Sequence, residues 1–510
     1  VRAYECAKLT IPALFPLPGA GTTAATEFAT PFQGVGAEGV NNLSAKQMLA
    51  LFPPGGAFFR LTLDDYALEQ LKAEQGDNFE DARSEFEEAL AKMERAVMNR
   101  MEQKGARMPL FENFQQLAVA GNALLHVLPD GTIKLHRLSN YVVKRDPSGT
   151  PLEIIVLEEL DRETLPDEAQ ALVDAEQGAA GTDEKRSEPV ELYTRVIRTN
   201  GKWTVAQEVC GHIVPGTVGS YPKDKCPWLA LRFKAIANED YGRGFVEERL
   251  GDLRSLESLT QSLVEGTAIA AKVVIGVNEN GVTSKKALAE AANGGVIDGD
   301  LEKDVSVLQI GKQADFATAH SVAGEIQKRL ERAFLLLSGV QRNAERVTAE
   351  EIRAVVSELE STHGGFYSTF AQELQHPLVV ILLAQGAKGG LLPHLPKGTI
   401  APQIVTGLDG LGRSSDLAKL DAMLERLVKA IGPDACAQRL SVDVLVKLFG
   451  AALGADYKGL VKSDAAIQQE TQAAQQADVA KAAIGPGIKA ASDHSLAAKA
   501  GASEGASGES

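Results

Sequence analysis

Residues 341–360, QRNAERVTAEEIRAVVSELE, join a polar stretch to a strongly marked helix start. Thr348 and Glu351 stand at capping-box spacing, in which the hydroxyl and the carboxylate each accept a backbone N–H that the first helical turn leaves free. Ile352, Val355, Val356 and Leu359 follow at the helical period, so the spacing predicts an amphipathic helix from Thr348. On the other side, Val322, Ile326, Leu330, Ala333 and Leu337 form a second apolar stripe, with Glu325, Lys328, Arg329, Glu331 and Arg332 facing elsewhere. A loop carrying Arg342, Asn343, Glu345 and Arg346 therefore hangs between two helices.

Working back from that pair, Leu250, Leu253, Leu256, Leu259 and Leu263 recur every three or four residues in a segment opening with YGRGF at 241–245, which predicts another long helix with one apolar stripe. Residues 271–310 lie between the two long helices and break into short strand-like pieces, VVIGV, GGVID and VSVLQI. The expectation is two long helices bracketing a small β lobe. Asp298-Gly299-Asp300 within it reads as a tight acidic turn, because the remaining positions of a calcium loop do not follow.

Further upstream, residues 41–52 predict a short helix stopped by Pro53, Pro54, Gly55 and Gly56, and residues 58–63 a strand. Phe86, Leu90, Met93, Val97 and Met101 predict a long amphipathic helix whose Met and Phe stripe is core packing, and a second helix runs from about Leu110 to Ala120. From Asn122 the period changes to two. Residues 123–128 and 132–138 flank Pro129-Asp130-Gly131, and 141–146 and 151–160 flank a second turn, giving two successive β-hairpins. His126 and His136 fall on neighbouring strands and read as a structural pair. Residues 161–189, acidic and rich in Ala and Gly, suggest an exposed insertion or a poorly ordered loop before strands resume at 191–198.

Beyond Thr348 the helix is expected to bend or break at Gly364-Gly365 and to resume through 366–375, with Pro377 as a second irregularity. A Pro- and Gly-rich link at 386–412 follows, then a helix capped by Ser414 or Ser415 with Leu417, Leu420, Leu424 and Leu427, and another opening at Ser441. From about Ala465 the chain turns to Ala, Gln, Gly and Ser, which reads as a partly helical, then disordered tail.

The 510 residues, 44% hydrophobic, can bury a sizeable core in three or four units of an α+β chain. The longest purely apolar run, 378–384, falls short of the ~20 residues that a bilayer requires. No signal peptide opens the chain, so secretion is not expected, and a start at Val1 rather than Met suggests a missing N-terminal segment. Cys6, Cys210, Cys226 and Cys436 form no CxxC pair and read as reduced structural thiols; Cys210, His212 and Cys226 lack the spacing of a known zinc site. A net charge of −16 argues against ordinary tight binding to DNA, which needs a surplus of Lys and Arg to displace counterions. Acidity serves solubility, or it suits a wall past which a duplex slides. No GxxxxGK[ST], GxSxG, HExxH or strand-borne GxGxxG occurs, so no catalytic residue, metal or cofactor is assigned.

Several longer words carry a resemblance: TIPALFP at 10–16, NNLSAKQMLALFP at 41–53, LFENFQQLAVAGNALL at 110–125, RLSNYVVKRD at 137–146, YGRGFVEERLGDLRSLE at 241–257, KQADF at 312–316 and the opening stretch at 341–360. Together they resemble the portal proteins, or head-to-tail connectors, of podovirus-type short-tailed bacteriophages, over most of residues 1–430. Agreement is weakest in the acidic insertion, the β lobe and the Ala-rich tail, and the resemblance leads one to expect an N-terminal helix that these residues do not include.

The resemblance implies a portal fold assembled as a homododecameric ring with a central channel. By position, 1–240 and the kinked helix of 348–407 would form the wing, 241–268 and 316–337 the stem helices, 269–315 the clip, 338–347 the tunnel loop and 408–464 the crown, with 465–510 as tail. Arg342, Asn343, Glu345 and Arg346 would then lie near double-stranded DNA, or the arginines would pair with glutamates of neighbouring subunits. Arg243, Lys328, Arg329 and Arg332 would be charges of the channel or of the subunit interface, and Lys285 and Lys286 clip contacts to DNA or a partner. Implied partners are the terminase large subunit, scaffolding and major capsid proteins, tail-adaptor (tail tubular) proteins and internal core proteins, with no membrane. The implied place is the capsid portal vertex of the virion, after assembly in the host cytoplasm. An oligomeric virion scaffold or adaptor without a DNA channel is the alternative, and an enzyme with a dispersed site the third class.

Overall fold

The computed structural model describes residues 1–16, 28–54, 57–62, 69, 72–73, 76, 79–177, 189–270, 275–307, 313–336, 354–355, 357–359, 369–390, 403–406, 422–430, 432, 436 and 445. The chain divides into two compact units, Val1–Ser415 and Asp416–Ser510. Helices and strands mix within the first. In the second, residues 422–430 are helical with Leu424 and Leu427 half-buried, as the leucine spacing predicts.

Four helices form the scaffold of the first unit. Val35–Leu51 stops at Phe52, directly before Pro53 and Pro54, which cannot continue a helical ladder. Phe79–Gln103 buries Leu90, Met93, Val97 and Met101, the expected stripe. Arg107–Ala120 ends in Gly121, whose φ of 75° is the left-handed C-cap that glycine adopts without Cβ strain. His376–Lys388 buries Leu378, Val379, Ile381 and Leu382, so the longest apolar run is a core helix. Phe52, Phe58, Phe114 and Phe370 meet among these elements, with ring centroids 4.8 Å apart for Phe52 and Phe58 and 6.2 Å for Phe114 and Phe370.

The strands are β1 (Phe59–Thr62), β2 (Asn122–Val127), β3 (Ile133–His136), β4 (Tyr141–Arg145), β5 (Pro151–Leu160), β6 (Val190–Thr199), β7 (Lys202–Val209), β8 (His212–Ile213), β9 (Gly219–Pro222), β10 (Trp228–Arg232), β11 (Ile275–Val277), β12 (Val305–Val307) and β13 (Gln403–Thr406). Both predicted hairpins form, but they belong to different sheets: β10-β2-β3 is one, and β4-β5-β6-β7 continues to β8 and β9 in the other. Leu124 pairs with His136 and Val127 with Ile133 in the first hairpin, and Tyr141 with Val156 in the second. Trp203, Val205, Val156 and Trp228 belong to the second core that lies between these sheets. On the first sheet His126 stacks on Trp228 with centroids 4.1 Å apart and faces His136 at 6.3 Å.

Several expectations need correction. The acidic insertion contains a helix, Asp167–Gln177. Leu165, Ala169 and Val173 fall at four-residue intervals and bury against Val190, Leu192, Val209 and Val214. Two apolar side chains of the helix, Ala169 and Val173, with Leu165 from the turn before it, suffice to seat it, whatever the average composition. The segment read as a link contains β13, which pairs antiparallel with β1. In the lobe GGVID forms no strand; Val296 is 96% exposed, and a helix, Lys285–Glu290, capped by the Ser284 hydroxyl, stands nearby. The helix predicted to begin near Asn41 begins at Val35. A π-helical turn, Ala371–Gln375, precedes Pro377, whose ring and missing N–H disfavour regular i→i−4 bonding there.

Candidate functional site: a helix pair and its roots

The two long helices form as Leu250–Ala270 and Gln313–Ala333. They run antiparallel: Arg329 grips Asp252 with bonds of 2.6 and 2.9 Å, while Phe316 lies over Gly266, where a Cβ would sit 2.6 Å from the ring. Leu253, Leu256, Ala323, Ile326 and Leu330 fill the seam. Val322, placed on this stripe from the sequence, is 43% exposed and its neighbour Ala323 faces inward instead. A smaller side chain at the seam lets the helices approach closely.

The first helix is rooted through the YGRGF segment. Asn122 is buried, and its side-chain amide donates to the carbonyls of Ala120 and Gly242 at 3.0 and 2.9 Å and accepts from the Gly242 amide at 2.7 Å. A Cβ on Gly244 would lie 2.7 Å from the Val119 carbonyl oxygen, which explains glycine there: two backbones touch. Arg243 is held by two carboxylates, Glu239 at 2.6 Å and Glu247 at 2.7 Å, so its charge is taken up within the subunit. Phe245 then meets Phe334 edge to face at 5.3 Å, joining the start of one helix to the end of the other.

The second helix ends against Val35–Leu51. Phe334 is fully buried over Gly39, and Asn42 and Lys46 from the same helix donate to the Phe334 and Leu335 carbonyls. Sequence reading passed over these residues, although Lys46 sits three residues after Leu43 and four before Ala50, on a stripe otherwise buried. A lysine in that position was the available signal. Arg342, Asn343, Glu345 and Arg346, with the capping box at Thr348, lie outside the described residues; past them, Val355 and Leu359 are buried as the stripe requires.

Lys328 and Arg332 are exposed and form no ion pair among the described residues. Between the long helices, β11 and β12 make a two-stranded lobe around Asp304, which accepts from the Val282 amide at 2.7 Å and from the Thr283 amide and hydroxyl at 3.0 Å. Asp300 caps the helical turn Leu301–Asp304, so the acidic tripeptide is a structural turn. Lys285 and Lys286 make only loose pairs, with Glu279 at 3.8 Å and Glu290 at 3.9 Å, and their side chains are 62% and 83% exposed. Val264, Ile269, Ile275, Val282 and Val296 are also more than 45% exposed. Five large apolar side chains are thus left exposed along the helix pair and its lobe.

Among the described residues no three His, Cys, Asp or Glu side chains gather as a metal site, and no helix is long and apolar enough to cross a membrane. Burial, with His136 and Lys134 nearby, pushes the His126 imidazole down to about 3, and burial also lowers His136, against an opposing pull from Glu158. Both rings therefore stay neutral near pH 7. Burial pushes the Cys6 and Cys226 thiols up to about 12, while Cys210 is exposed on a turn.

The model of a family described as bacteriophage head to tail connecting protein matches residues 1–461. The portal protein of Escherichia phage T7 is 39% identical over 515 residues, covering 99% of this chain and 93% of that protein. The portal protein of Enterobacteria phage T3 is 40% identical, covering 98% and 93%. A chain from the virion of a native gene transfer agent particle aligns with a TM-score of 0.32 and 13% identity over 81% of this chain and 99% of its own, too slight a likeness to carry an argument. With the family matched over nearly its whole length, this chain belongs to the bacteriophage head-to-tail connecting, or portal, proteins.

Proposed function

We propose that this protein is the subunit of a dodecameric ring at one capsid vertex, through which double-stranded DNA is packaged and later ejected and to which the tail attaches. The observation that carries the reading is the rooted helix pair ending in an undersized lobe with exposed apolar side chains, in a chain of the connector family. A lobe confined to residues 269–315 is too small to be stable alone, so neighbouring copies of it would complete it. In that ring the helix pair is the stem, residues 269–315 the clip, residues 338–347 the tunnel loop, residues 1–240 and 348–407 the wing and residues 408–464 the crown.

Twelve copies of Arg342 and Arg346 would then surround one duplex, and weak phosphate contacts would add through multivalency without fixing a register. The net charge of −16 keeps the remaining wall non-adhesive, which a sliding duplex needs. Lys285 and Lys286, exposed and loosely paired, suit contact with the terminase large subunit or with tail-adaptor proteins. The ring itself hydrolyses nothing; the terminase motor supplies the work. Scaffolding, major capsid and internal core proteins are its further partners, met during assembly in the host cytoplasm. Quantitative mass spectrometry of purified virions tests this: about twelve copies per particle, labelled at a single vertex, support it, and copies spread over every vertex refute it.

A further inference from the structure

The helix Gln313–Ala333 stops without a local signal. Its end has the bonding of a Schellman turn, with the Leu336 amide donating to the Glu331 carbonyl at 2.8 Å and the Leu335 amide to the Arg332 carbonyl at 3.2 Å. That turn needs a left-handed residue, usually glycine, yet here it is Leu335 at φ 59°. A branched side chain holds such a backbone only where its surroundings over-determine it.

Part of those surroundings comes from one helix. Asn42 donates to the Phe334 and Leu335 carbonyls at 2.9 and 3.1 Å, and the Lys46 ammonium donates to the Leu335 carbonyl at 2.9 Å. Lys46 is 4% exposed and also pairs with Glu358 at 3.1 Å, on the helical stretch that follows residues 337–350. One buried cation thus touches the chain at the end of the second long helix and again at Glu358. A buried ammonium is costly unless fully bonded, so its retention there calls for a reason.

We infer that Lys46 is a positioning residue: from Val35–Leu51 it sets the place and direction of the end of the second long helix and of the helical stretch bearing Glu358, which stand before and after residues 337–353. The inference rests on the portal reading only for its consequence, namely that Lys46 fixes how the residues bearing Arg342 and Arg346 are presented to DNA. The local tie stands without it.

Hydrogen exchange on the full chain separates the two. In Lys46→Met, the amides of 334–336 and 357–359 should exchange about tenfold faster. Leu382→Ala, a core variant brought to the same melting temperature, should leave those amides at their wild-type protection relative to the rest of the chain. Equal exchange in the two variants, or no change in Lys46→Met, overturns the inference. Should Lys46→Met not fold, Glu358→Gln takes its place, with a rise of about threefold at the same amides expected and unchanged exchange overturning the inference. A positive exchange result from a protein that forms no ring would sink the portal reading and leave the role of Lys46 intact.

Discussion

Replacing Gly39 by alanine should destabilise the protein, against the ordinary rule for helices. Gly39 lies inside Val35–Leu51, and alanine at such a site normally stabilises a helix by about 1 kcal/mol. The new Cβ would sit 2.4 Å from Cγ, 2.7 Å from Cδ2 and 2.9 Å from Cβ of Phe334. That ring has nowhere to go: it is fully buried, and Phe245 abuts it edge to face at 5.3 Å. Overpacking of a closed core costs about 1–3 kcal/mol, and a locked ring places this site near the upper end. The net loss is then about 1–2 kcal/mol. Gly324, within the second long helix, has nothing within 4 Å of its Cβ position, so Gly324→Ala should raise stability by up to about 1 kcal/mol. Chemical denaturation of the unassembled subunit should therefore shift in opposite directions for the two variants. Adding Phe334→Leu to Gly39→Ala should recover part of the loss, a departure from additivity expected of touching residues. Stabilisation by Gly39→Ala equal to that by Gly324→Ala would refute the close packing of Phe334 on this helix.

Two other predictions concern titration and thiol chemistry. His126 binds its proton only near pH 3 in the folded chain, against about 6.5 when unfolded, so the unfolded state binds more protons across that window. Stability is thus fully present above about pH 6.5 and falls as the pH drops toward 3, by up to about 1.4 kcal/mol per pH unit; a His126→Phe variant should lose much of that slope in denaturation measured from pH 7 to 5. Of the four cysteines, Cys210 should label first with a maleimide at pH 7, because Cys6, Cys226 and Cys436 are buried; peptide mapping that finds Cys6 or Cys226 labelled at the same rate would contradict the packing.

The helix pair was legible because its leucine and isoleucine stripes keep the helical period over several turns, and both hairpins because Pro129-Asp130-Gly131 and the turn before Pro151 mark them. What escaped was set by contacts distant in sequence. Strand β13 gains its identity only by pairing with β1, more than 300 residues earlier. The Asp167–Gln177 helix is held by Ala169 and Val173, with Leu165 just before it, a signal that average composition concealed. Val322 and Ala323 are adjacent, and only the approach of the facing helix decides which of them turns inward. At the candidate site, the resemblance directed attention to arginines of the loop, whereas Lys46, Asn42 and Phe334 emerge only when distant chain segments meet. The glycines of YGRGF were visible as a word, and the touching backbones at Gly244 and Val119 supply its reason.

The central claim is that copies of this chain close into a ring around an open channel. Native mass measurement together with negative-stain imaging of the purified protein at low micromolar concentration tests it most directly. The account predicts a closed particle of about twelve subunits with a stain-filled centre. A stable monomer, or a small closed dimer without a central opening that salt leaves unchanged, would contradict it.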